Sequence, residues 1–261
     1  MTALRGIPAL ILLGLLAIGC TTPTATVILR GGPMSLSGDF GASQGPVSAR
    51  ASADALGLDS AEVTFQPRVD VDWSAWHLSA SGFGAKYRGD GVADARLEGP
   101  GGGAIEDGVK VDSEVDVSMI SADFAYDLIP WDWMDIGIGA GLGALAFRAE
   151  VSAKNAPVTA GIDESTPMGY LLLRLAKTTR DFKVVLRLAG ISASFENDEV
   201  RYFDADLMGA VRLFGEPATL QGDLVLGYRY LKAEYDHRSG SYRFETDPTI
   251  QGPYLGLGLV F

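Results

Sequence analysis

The chain ends in Ile250-Gln251-Gly252-Pro253-Tyr254-Leu255-Gly256-Leu257-Gly258-Leu259-Val260-Phe261. Leu255, Leu257, Leu259 and Phe261 share one parity; Tyr254, Gly256, Gly258 and Val260 share the other. Successive side chains of an extended chain point to opposite faces, so this period of two predicts a β-strand with one apolar face.

Working back along the chain, the same period recurs. Leu224, Leu226, Tyr228 and Tyr230 oppose Asp223, Val225, Gly227 and Arg229. Phe203, Ala205, Leu207, Val211 and Leu213 oppose Asp204, Asp206, Met208 and Arg212. Val184, Leu186 and Leu188 oppose Lys183, Val185 and Arg187, and Leu171, Leu173 and Leu175 oppose Tyr170, Leu172 and Arg174. In 133–151, Gly137, Gly139, Gly141 and Gly143 fall on one wall. Glycine on the inner wall of a narrow barrel leaves room for large neighbours. That accounts for much of a Gly content of 33 in 261 residues, nearly double the usual ~7%. Further strands are predicted at 109–127, 76–88 and 62–73. A tenth, interrupted by Gly31-Gly32-Pro33, is predicted near 24–37.

Periodicity alone also fits a soluble sandwich, in which the charged face would be wet. The connections separate the two. Trp73-Ser74-Ala75, 128–133, 177–181 and 214–218 are short. Regions 38–61, 89–108, 152–166 and 237–248 are longer, acidic and rich in Gly and Ser. Residues 196–199 form the one short turn on the side of these longer regions. Short turns at one end and longer loops at the other are the habit of membrane barrels. Trp73, Trp76, Trp131 and Trp133 all flank the short turns, as an interfacial girdle would. Phe261 closes the last strand at the same end. Tyr87, Phe195, Tyr202, Tyr228, Tyr230 and Tyr235 are expected to form a second girdle at the other rim.

The last strand, with its alternating apolar residues ending in Phe261, resembles the C-terminal signature of bacterial outer-membrane β-barrels. The resemblance implies an all-β fold, a closed antiparallel transmembrane β-barrel of ten or eight strands over residues 24–261. It also implies outer-membrane lipid and the barrel-assembly machinery as partners, the latter through the strand ending in Phe261. With ten strands, both termini lie on the short-turn, periplasmic side.

The N-terminus reads MTALRGIPALILLGLLAIGC. One positive charge, a short apolar run and small residues before a cut predict a signal peptide over 1–19. Leu16-Ala17-Ile18-Gly19-Cys20 resembles the bacterial lipobox, which implies lipidation of Cys20, with 20–23 as a tether. Ala17 and Gly19 also suit ordinary signal cleavage. Cys20 is the one cysteine in the sequence, so no intrachain disulfide forms.

The formal net charge is −12, which argues against nucleic acid as a partner. A charge network facing the lumen is expected from Arg174, Lys183, Arg187, Asp204, Asp206, Arg212, Asp223 and Arg229. Arg68, Asp70, Asp72, Glu114 and Asp116 are further inward candidates. Basic residues on one strand lie beside acids on the next, which stabilises cross-strand pairing. A barrel this narrow is filled by side chains, which argues against a wide pore. His77 is expected to line the tryptophan rim. His237, in Tyr235-Asp236-His237-Arg238-Ser239, is expected to open an external loop. Residues this close in sequence do not make a triad, whose members come from separate segments. The ten-stranded outer-membrane proteases carry Asp/Asp and Asp/His pairs at the external rim, but no Asp-x-His motif occurs here. No metal site or cofactor is expected. The expectation is a non-enzymatic outer-membrane barrel whose acidic loops serve interaction or envelope maintenance. A narrow solute channel, and a periplasmic lipoprotein β-domain for an apolar ligand, are the alternatives.

Overall fold

The computed structural model describes residues 22–45, 50–99, 103–131, 134–194, 198–216 and 219–261. Residues 1–19, Cys20 and Trp133 lie outside this set, as does Phe195. In chain order the strands are β1 (Thr24–Ser37), β2 (Asp39–Gln44), β3 (Ala51–Ser52), β4 (Glu62–Trp73), β5 (Trp76–Val92), β6 (Leu97–Glu98), β7 (Ala104–Ile105) and β8 (Lys110–Trp131). They continue with β9 (Met134–Ala153), β10 (Thr159–Thr178), β11 (Phe182–Ser194), β12 (Asp198–Phe214), β13 (Gln221–Ser239), β14 (Tyr242–Thr246) and β15 (Thr249–Val260).

Ten of these close a ring in the order β1-β4-β5-β8-β9-β10-β11-β12-β13-β15 and back to β1. Every pairing is antiparallel, and the ring closes where β1 meets the C-terminal strand, Val27 opposite Leu259 and Leu29 opposite Leu257. The strand at 24–37 is therefore a full stave of the barrel despite its glycines and proline. Its Gly32 lies so close to β15 that a Cβ there would sit 2.2 Å from the Pro253 carbonyl oxygen.

The barrel is taller than a membrane requires. At ~3.3 Å per residue, the 22 residues of β8 run about 70 Å, or roughly 55 Å of height at a tilt of ~40°. The apolar band of a membrane barrel is only ~25 Å tall. The outward face of β8 divides accordingly. Ile120, Phe124, Tyr126 and Leu128 are exposed and apolar, whereas Asp112, Glu114 and Asp116, nearer the long-loop end, are charged. The inward face divides in the opposite sense. Val111, Val115, Val117 and Met119 are buried in an apolar core, whereas Ser121, Asp123 and Asp127 are buried and polar.

This inversion holds around the ring. Beside the membrane, apolar side chains face out (Leu142, Leu171, Phe203, Leu226, Leu255 and Leu257) and charges face in. Beyond the membrane the wall is wet outside and dry inside. There, Lys86 pairs with Glu114 and Asp116, Arg148 with Glu150 and Asp163, and Arg201 with Glu199 and Glu234. The strands carry on because an outer-wall strand still pairs on both edges.

Two expectations are corrected by this arrangement. Glu114 and Asp116 face outward, because they share the parity of Phe124 and Tyr126. Tyr87 and Tyr202 do not belong to an outer girdle; both point into the barrel and are buried. Regions expected as loops are also largely strand. Val92, Lys110, Ala153 and Thr159 are strand termini, so the β9–β10 connection shrinks to 154–158. His237 lies within β13, paired with Phe244 of β14, and not in a loop.

The long-loop end is closed. β13 continues into β14, which pairs with β2, which pairs with β3. Phe40, Ala42, Leu56, Leu58 and Leu97 from these connections converge on Val115, Ala149 and Val151 from the staves. Phe40 stacks on Phe147, centroids 6.5 Å apart.

Candidate functional site: the lumen and its open cup

Below the apolar plug the lumen is crossed by ion pairs. The two acids of β12 organise them, because alternation points Asp204 and Asp206 inward one above the other. Asp204 is fully buried. It accepts from Arg187 Nη1 at 2.8 Å, from Arg229 Nε and Nη2 at 3.0 Å each, and from the Tyr202 hydroxyl at 3.1 Å. Asp206 accepts from Arg30 Nη1 and Nη2 at 3.2 and 2.7 Å and from the Tyr254 hydroxyl at 2.6 Å. Arg187 also donates to both oxygens of Asp123, at 2.7 and 2.9 Å, and Asp123 accepts from Tyr170 at 2.5 Å. Arg68 donates to Asp70 at 2.8 Å and reaches within 3.8 Å of Asp206.

These are struts across the interior. Arg187 on β11 and Asp123 on β8 are three staves apart in the ring; Arg68 on β4 and Asp206 on β12 are four apart. Small residues make room for them. A Cβ at Gly141 would lie 2.2 Å from the Tyr170 ring, and one at Gly227 would lie 2.4 Å from the Tyr254 ring.

Between this layer and the short turns lies a cup of about 630 Å³. One side of it is apolar, with Ile28, Met208, Ala210 and Val225. The other is polar. His77 is buried, its Nδ1 2.7 Å from Asp72 and its Nε2 2.6 Å from Asp127. Arg174 donates to Asp127 at 3.1 Å, and Arg212 to Asp223 at 2.5 Å. Lys183 donates to Asp72 at 2.7 Å. β11 and β4 are diametrically opposite in the ring, so this last pair is a bar across the mouth.

Arg174, Lys183, Arg187, Asp204, Asp206, Arg212, Asp223 and Arg229 all therefore lie in the lumen, but as two tiers rather than one network. The tier of Arg187, Asp204, Asp206 and Arg229 seals the middle; the others line the cup. His77 is corrected from a rim residue to a buried bridge. Asp123, Asp127 and Arg30 are the members that the sequence reading missed. The signal for Asp123 and Asp127 was their parity, opposite to Phe124 and Tyr126. At the rim, Trp73 pairs with Trp76 across the β4–β5 turn, and Trp76 stacks on Phe124 and Tyr126 at 5.0 and 4.4 Å. The backbone of Trp131 pairs with Met134 at the same end. Phe261 is exposed on the outer face. At the opposite end Asp236 is held by Arg243 and Arg238. His237, the next residue in the strand, points to the other face, so the two are not brought together.

A closed ring of antiparallel strands, with lipid-facing apolar side chains and a polar lumen, defines a transmembrane β-barrel. The chain is similar in fold to the outer-membrane protease OmpT from Escherichia coli, with a TM-score of 0.54 at 9% identity, covering 94% of this chain and 99% of that one. Lower-scoring barrels include the translocator domain of the autotransporter NalP from Neisseria meningitidis (TM-score 0.38, 12% identity, 90% and 87% covered). The attachment invasion locus protein Ail of Yersinia pestis is another (TM-score 0.30, 10% identity, 92% and 100% covered). No family model and no curated protein sequence matches the chain. The shared feature is the outer-membrane β-barrel fold.

Proposed function

We propose that this protein is a non-conducting barrel of the bacterial outer membrane, acting without catalysis through the wall and loops it projects beyond the lipid. The carrying observation is the inversion of the strand faces. Among the described residues an apolar plug fills one level of the lumen and a layer of buried ion pairs fills the next, which supports a barrel without a continuous water path. The projecting wall is rigid, because its strands stay paired, and it carries alternating charges suited to a polar partner or to the lipid headgroup layer. In this reading the short-turn end faces the periplasm, a lipid on Cys20 enters the inner leaflet, and the strand ending in Phe261 is read by the assembly machinery. The pairing of Asp236 with two arginines, away from His237, supports the non-catalytic reading.

Planar-bilayer recording with purified, refolded protein tests the proposal. The expected trace has no unitary steps. Steps of uniform size, abolished when the protein is omitted, would overturn it in favour of the narrow-channel reading.

A further inference from the structure

We propose that the cup at the short-turn end is a binding site for a small aliphatic amine, a primary ammonium on a hydrocarbon stem. The cup is of ligand size, since small-molecule sites span ~300–1,000 Å³, and it holds about 630 Å³. It is blind, because the Arg30–Asp206 and Arg187–Asp204 pairs close its floor. Its two sides differ in kind. Ile28, Met208, Ala210 and Val225 offer an apolar surface that could pack along methylene groups.

The polar side selects the sign of the ligand. Asp72, Asp127 and Asp223 are each matched by a base of the cup, namely Lys183, Arg174 and Arg212. Asp70 is held by Arg68, and His77 bridges Asp72 and Asp127, so among the described residues Asp135 and Asp181 are the lining carboxylates with no ion pair and every lining base already faces an acid. An ammonium would supply the missing charge, and its stem would cover the apolar wall. An anion of the same length would have to displace Asp72, Asp127 or Asp223 from the base each already holds, and a neutral alcohol would gain only the apolar contact. The site is independent of the activity proposed for the projecting wall: the barrel can be non-conducting whether or not the cup is filled.

Calorimetric titration of the full-length protein in a zwitterionic detergent with 1,6-diaminohexane, 1-hexanol and hexanoate tests this. Saturable binding of the diamine is expected, with hexanoate and hexanol at least tenfold weaker. Asp135→Asn/Asp181→Asn should weaken the diamine at least tenfold. Ala210→Phe, which fills the cup without removing a charge, should abolish it. Asp163→Asn, on the outer wall, should leave it unchanged. Heat-modifiable gel mobility confirms that each variant is folded. The proposal is overturned if the diamine fails to saturate, if hexanoate binds as well, or if either cup variant binds like the parent.

Discussion

Asp204→Ala is the substitution that most directly tests whether the lumen is sealed. Asp204 is fully buried and accepts from two arginines that approach from β11 and β13. Arg187 keeps a second carboxylate, Asp123. Arg229 donates to Asp204 through Nε and Nη2; Asp206, opposite it in the β12–β13 ladder, is already held by Arg30, and the Phe83 ring lies 5.2 Å away. The variant therefore removes the carboxylate that hydrogen-bonds one buried guanidinium and leaves it only the shared charge of Asp206. Removing one partner of a buried pair costs about 3–5 kcal/mol, because the other charge is left without compensation. In a water-filled pore the same pair would be screened and worth about 0–1 kcal/mol. Equilibrium unfolding in guanidinium chloride, in lipid vesicles and read by tryptophan fluorescence, measures the difference. A loss of about 3–5 kcal/mol is expected, and Asp204→Ala/Arg229→Met should recover a substantial part of it. A loss below about 1 kcal/mol, with no recovery in the double variant, would refute the sealed lumen and the argument built on it.

Three further outcomes follow from the geometry. Gly141→Ala should destabilise by about 1–3 kcal/mol through overpacking, because its Cβ would overlap Tyr170. Gly84→Ala, which meets nothing within 4 Å, should be near neutral in the same unfolding assay, and equal effects would count against the packing described. Leu171→Arg, in the apolar belt and 74% exposed, should cost about 2–4 kcal/mol. Asp163→Arg, on the projecting wall, should be nearly silent, and a silent Leu171→Arg would move the membrane boundary. On the same wall, hydrogen bonds from Lys86 and then Arg88 hold the Glu114 carboxyl down to about 2, from an ordinary 4.5. A depressed acid stabilises the fold above its unfolded value, and that contribution is lost as pH falls through its folded value. The Glu114 pairs should thus persist at pH 4 and break near pH 2. A carboxyl NMR titration with its midpoint at or above 4.5 would show that the wall pairs do not form.

Much of the barrel was legible from alternation. The C-terminal strand, the staves β9, β11, β12 and β13, the glycine wall and the short turns fall close to where period two and the tryptophans put them, whereas β10 begins at Thr159, inside the expected 152–166 loop. Alternation assigns residues to two faces with no knowledge of distant partners. The lumen acids of β12 were legible for the same reason, since Leu207 and Phe203 mark the other face as the lipid side. Parity also contains Asp123 and Asp127, but Glu114 and Asp116 further up the same strand obscure it, because they carry charge on the opposite parity.

Alternation, the positions of the turns and the sharing of faces are local properties, carried by neighbouring residues alone. Which face is wet at each height emerges from the assembled barrel, because a strand that leaves the lipid keeps its parity while its surroundings exchange places. The assembled barrel alone also decides the partners. Arg30 meets Asp206, and Lys183 meets Asp72 across the full width of the barrel, because ring closure brings together staves that no local pattern relates. His77 is the clearest instance. Beside two tryptophans it reads as a rim residue, yet the fold turns it inward between Asp72 and Asp127, and the second of those acids arrives only when β8 pairs with β5.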